Sequence, residues 1–114
     1  MLKIAQEDLS SIELLEKTKN FNSLFKLTYS VIHTLCEAYV LLDKVKAKNH
    51  ICLFVYLCYY NNEFDWDFFE DMRMRRNGLH YYGNFVSRDF WLNSNEQLFY
   101  YVNLLHNKIV NRLH

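Results

Sequence analysis

The residues best suited to chemistry are concentrated in one stretch, Arg73-Met74-Arg75-Arg76-Asn77-Gly78-Leu79-His80-Tyr81-Tyr82-Gly83. These side chains suit a phosphodiester. Arginine offers phosphate oxygens a planar fork of donors and keeps its charge at any working pH. Histidine gives or takes a proton near neutrality, and tyrosine stacks on a base or orients a phosphate through its hydroxyl. On a continuous helix Arg73, Arg76, Asn77 and His80 share one face at three- and four-residue spacing. Arg75 lies five residues before His80. It would converge with the others only through local unwinding near Gly78 or through a partner chain. The same stretch has an ordinary structural reading. Glu63, Asp65, Asp67, Glu70 and Asp71 precede the arginines, so acid first and base last suits the helix dipole, and the charges can pair one turn apart.

The elements that must position this stretch are helical. Apolar Leu24, Leu27, Val31, Leu35, Ala38, Leu42 and Val45 step by three and four, which predicts a long amphipathic helix. Lys44, Lys46 and Lys48 are expected at its C-terminal end, and Asn49 marks a turn. A first helix is expected from about Ala5 to Lys19, carried by Leu9, Ile12 and Leu15 or Glu16. His50 to Tyr60 is apolar on every side, which predicts a central helix packed on two faces or a helix in a subunit interface. Phe64 to Leu79, with Phe64, Phe68 and Met72 at four-residue steps, predicts a fourth helix. After a loop near Gly83 to Ser94, Leu98, Val102, Leu105, Ile109 and Leu113 predict a fifth. With no proline and only two glycines, asparagine clusters are the main punctuation. The expected fold is an all-α antiparallel bundle of four to five helices forming a single domain over residues 1–114.

Composition bounds the function. The 114 residues are 51% hydrophobic and 18% aromatic, enough to build one core and unlike a disordered chain. Thirteen basic residues balance thirteen acidic ones, so a polyanion site must be a local patch rather than a whole basic surface. Cys36, Cys52 and Cys58 are odd in number and lack CxxC spacing, which predicts reduced, structural thiols rather than a disulfide framework or zinc site. His33, His50, His106 and His114 show no ligand spacing, so no metal is expected. No cofactor is expected either, because no Gly-rich phosphate loop or nucleophile elbow is present. The start of the chain lacks signal-peptide character, and the longest apolar run, Ile51 to Tyr60, is too short to cross a bilayer. A cytoplasmic protein without membrane contact is expected.

The late Arg/His stretch in an all-helical chain of this size resembles the HEPN domains (higher eukaryotes and prokaryotes nucleotide-binding). Their signature is an arginine, four to six residues, then a histidine. Arg75 and His80 match it with four between them, and Tyr82 matches the tyrosine that toxin members place two after the histidine. Tyr29, Glu37-Ala38, Leu41-Leu42, Lys46 and His50, ahead of an apolar helix, are also similar. Many members place Asn, Asp or His directly after the arginine. Here Arg76 follows Arg75 and Asn77 comes next, so either arginine is a candidate for the motif position. The resemblance implies a HEPN-like bundle and a metal-independent endoribonuclease whose two motifs meet in a homodimer cleft. In that role Arg75 and His80 are catalytic, with His80 acting on the ribose 2′-hydroxyl of the RNA substrate. Arg73, Arg76 and Asn77 position phosphate or substrate. Many relatives are toxins encoded beside a minimal nucleotidyltransferase, which in some acts as the antitoxin by adenylylating the motif tyrosine, here Tyr82. The alternative is a non-catalytic helical module that binds a nucleotidyltransferase or nucleotide.

Overall fold

Helix-capping side chains set where the elements of this chain begin. The computed structural model describes residues 6–12, 20–81 and 86–113, with the backbone alone at 79–81. Among these residues five segments are helical and none is a strand: α1 at 6–12, α2 at Phe21–Leu41, α3 at His50–Tyr60, α4 at Trp66–Tyr81 and α5 at Arg88–Leu113. Asn20 caps α2 by accepting from the Ser23 amide at 3.2 Å, and Asn49 caps α3 by accepting from Cys52 at 2.9 Å. Asp65 accepts from the Asp67 amide at 3.0 Å ahead of α4, and the Ser87 hydroxyl accepts from Phe90 at 3.0 Å to start α5. Each satisfies an amide that the first turn would otherwise leave without a partner.

The bundle closes around α2. Its buried Leu24, Phe25, Val31, Ile32, Leu35 and Val40 pack chiefly on α5, through Leu98, Val102, Leu105 and Ile109. α3 and α4 pack on α2 and on each other, adding Leu53, Phe54, Leu57, Phe69 and Met72 to the core. Full burial of side chains of this size contributes about 1.5–3 kcal/mol each. Polar ties fix the register. The Val86 amide donates to Asn22 Oδ1 at 2.6 Å, Lys108 reaches Glu63 at 2.7 Å, and Arg112 pairs with Asp43 at 2.9 Å.

Three expectations change. The long apolar pattern does not stay helical to Val45. α2 ends at Leu41, the amides of Leu42, Asp43 and Lys44 bond three residues back, and Lys44 turns left-handed at φ 62°. Lys44, Lys46 and Lys48 thus follow the helix instead of ending it. α5 starts at Arg88 rather than after Ser94, because Ser87 supplies a cap and the Asn93-Ser94-Asn95 run continues the helix. Of the two alternatives for α3, packing on two faces within the chain is not observed, and the subunit-interface alternative is untouched by this. Leu53, Phe54 and Leu57 are buried, while Ile51, Val55, Tyr59 and Tyr60 are exposed. The first helix is described only over 6–12, so Ala5, Leu15, Glu16 and Lys19 lie outside the described residues. Among the described residues, no helix is long and apolar enough to cross a membrane.

Candidate functional site

α4 runs unbroken through Gly78 to Tyr81, so its arginines separate by helical geometry. Arg73, Arg76 and Asn77 fall on one side, as their spacing requires. With Asn49, His50 and Ile51 at the start of α3 they line an open cleft of about 410 Å³. Arg73 reaches back one turn to Glu70, with Nη2 to Oε1 at 2.6 Å and Nε to Oε2 at 3.0 Å. This two-pronged bond holds the Glu70 carboxyl below its ordinary value. Arg76 turns toward α2, its guanidinium carbon 5.9 Å from the centre of the Tyr29 ring.

Arg75 goes elsewhere. Its guanidinium lies 4.1 Å above the ring of Phe90 in the first turn of α5, and Phe90 in turn meets Phe25 edge-on at 5.6 Å. The unwinding near Gly78 that would redirect Arg75 does not occur. Within the chain Arg75 therefore pins α4 to α5, and the cleft takes Arg76. The backbone places His80 one turn beyond Arg76. Tyr82 lies outside the described residues.

The cleft backs onto a second cluster that the spacing argument passed over. His33 of α2 and His50 of α3 bring their rings to 3.9 Å between centroids. His33 Nδ1 lies 2.7 Å from Glu37 Oε1, and His50 Nδ1 lies 2.8 Å from the Tyr29 hydroxyl. Phe54, fully buried, packs in T-shaped contact with Tyr29, His33 and His50 and gives the cluster an apolar floor. Burial, the neighbouring His33 and Arg76 push the His50 pKa down to about 4. Burial and then Arg76 lower that of His33. Burial raises the Tyr29 phenol against the pull of Arg76 and Arg73, so it stays protonated. A Tyr29 hydroxyl donating to neutral His50 Nδ1 leaves the ring proton on Nε2, and the opposite tautomer reverses both roles.

A signal for this cluster is present in the chain. Tyr29, His33 and Glu37 recur every four residues along α2, a polar stripe beside the apolar one. The partner of that stripe, His50, comes from another helix and has no sequence periodicity to reveal it. Among the described residues, no three His, Cys, Asp or Glu side chains converge in a metal-binding group. The three thiols are unbridged, with Cys36 buried and Cys52 exposed. Comparison of the chain with protein-family models, with curated proteins and with solved structures finds no match.

Proposed function

We propose that this protein is a metal-independent endoribonuclease of the HEPN type that cleaves RNA through its 2′-hydroxyl. The observation that carries the reading is the shared cleft of Arg73, Arg76 and Asn77, with His80 one turn further along the same helix. Arg76 holds the scissile phosphate and offsets the charge that grows on its oxygens. Asn77 positions the phosphate or His80, and His80 moves the proton of the attacking hydroxyl. Arg73, already bound to Glu70, stiffens the wall of the cleft. Arg75, seated on Phe90, holds the helix that carries the site.

The reading includes a homodimer. Ile51 borders the cleft and also an apolar groove formed with Cys52, Val55, Tyr56, Tyr59 and Tyr60, so a second copy seated on α3 lies against the cleft mouth. A toxin role, with a nucleotidyltransferase antitoxin modifying Tyr82, extends the reading on the strength of the motif. The same groove favours the second reading, a non-catalytic module that docks a nucleotidyltransferase. The deciding experiment is cleavage of a structured RNA in EDTA by wild type and by His80→Ala purified alongside it. Cleavage by the wild type alone, leaving cyclic phosphate ends, supports the nuclease. Equal cleavage by both marks a contaminant, and an unmodified, silent, monomeric wild type supports the docking module.

A further inference from the structure

The His33–His50 pair adjoins the cleft wall of Arg73, Arg76 and Asn77, and the local charge count is balanced while both rings are neutral. Facing the pair from α2 are Tyr29 and Glu37, and from α4 Arg73 and Arg76; behind these, Cys36 and Glu70 act on Tyr29, and Glu70 is bound to Arg73. Tyr29 and Cys36 keep their protons because burial raises both. Two guanidinium groups therefore stand against two carboxylates, those of Glu37 and Glu70. Lys46 shares a separate cavity with Glu37. A phosphodiester entering such a neutral cluster adds one negative charge without a counter-charge. The nearest group able to supply it is an imidazole, and rings 3.9 Å apart hold one proton between them far more readily than two.

We propose that this cleft takes up a phosphodiester together with one proton: the Arg76 guanidinium and the Asn77 amide hold the phosphate oxygens, and the His33–His50 pair accepts the proton. The nitrogen available on His33 is Nε2, since Nδ1 faces Glu37. On His50 it is Nδ1 in the tautomer where the Tyr29 hydroxyl donates to that atom, the hydroxyl then turning to accept, and Nε2 in the opposite tautomer. An anion at Arg76 cancels the positive field that disfavours a charged ring, so ligand and proton each strengthen the other's binding. Thermodynamic linkage makes the effect equal in both directions. The inference rests on the nuclease reading only for the placement of the phosphate. It adds that occupancy is controlled by pH through residues outside the Arg/His motif.

The test uses the thymidine dinucleotide TpT. It carries one diester phosphate, no group that titrates between acid and neutral pH, and no 2′-hydroxyl to be cleaved. Calorimetric titration near pH 5.5 in two buffers of different ionisation heat reads proton uptake directly. The expected result is uptake approaching one proton per TpT, with affinity rising by up to about tenfold per pH unit as pH falls. Arg76→Gln should weaken TpT at least tenfold. The double variant His33→Gln/His50→Gln should bring the uptake toward zero. If a histidine variant fails to fold, the imidazole proton resonances of the wild type, followed with and without TpT, report the same coupling. Two of them should move to higher pKa with ligand. Absence of TpT binding, binding without uptake, or uptake that survives in the double variant overturns the proposal. Coupled TpT binding in a protein that leaves RNA intact overturns the nuclease reading alone.

Discussion

The imidazole rings of His33 and His50 lie 3.9 Å apart, brought together by the packing of α2 on α3 and floored by Phe54. Burial and the nearby Arg76 guanidinium keep both in their neutral form.

That neutrality makes stability depend on pH. The folded-state pKa of each ring lies below that of an unfolded histidine, so the unfolded chain binds more protons. The stabilisation is present above about pH 6.5 and is lost as pH falls through each folded-state value, about 4 for His50. For His50, allowing for solvent screening, the loss is about 1 kcal/mol. Denaturant melts at stepped pH should show this decline, and His50→Gln should flatten it. The Glu70–Arg73 contribution persists to lower pH, because the carboxyl pKa is depressed and its stabilisation is lost only as pH falls through that value.

Arg75 and Arg76 are neighbours with different surroundings, which separates their variants. In the nuclease reading, Arg76→Gln should lower RNA cleavage by about 10²-fold, the order expected for loss of a charge-stabilising donor. Arg75→Gln should leave cleavage within a fewfold of wild type and cost about 0.5–1 kcal/mol of stability through the lost stack on Phe90. Single-turnover cleavage and urea unfolding of both variants check the assignment. The reverse pattern would put the motif arginine at Arg75.

Ser87 starts α5 through a single side-chain acceptor, 3.0 Å from the Phe90 amide. Ser87→Ala should destabilise the protein by about 1 kcal/mol, and Ser87→Asp should restore most of that. The difference is readable in thermal melts. Because Phe90 supports Arg75, the alanine variant should also loosen the end of α4 in hydrogen exchange.

Val55 and Tyr59 are 48% and 76% exposed on the outer face of α3. A charge there should change the stability of the isolated chain by no more than about 0.5 kcal/mol. In the dimer reading, Val55→Glu should shift sedimentation from dimer to monomer at micromolar concentration. An unchanged sedimentation profile would leave that face to a different partner.

Helical periodicity made most of the fold legible. The apolar stripe of α2 and the Leu98-to-Ile109 stripe of α5 lie in the core, and the shared face of Arg73, Arg76 and Asn77 follows from their three- and four-residue steps. The boundaries were less legible, because hydrophobic spacing continues past the point where the backbone turns. Leu42 and Val45 extend the stripe numerically, yet α2 has ended before them. Asn93-Ser94-Asn95 reads as a break but stays helical once Ser87 has started the helix and Trp91 and Leu98 hold it in the core. The His33–His50 pair was illegible for a different reason. A contact between two helices depends on how they pack, and neither residue has the other in its local pattern.

The broadest helix pairing joins α2 to α5, elements separated by most of the intervening chain. Folding must close that long loop before the principal interface is gained, so the chain departs from the fast, neighbour-to-neighbour order of a simple helical hairpin series. During synthesis the apolar stripe of α2 leaves the ribosome well before its cover does. Until Leu98, Val102 and Leu105 have emerged, that stripe has no native partner, and this interval is when the nascent chain is most exposed to aggregation and to chaperone capture.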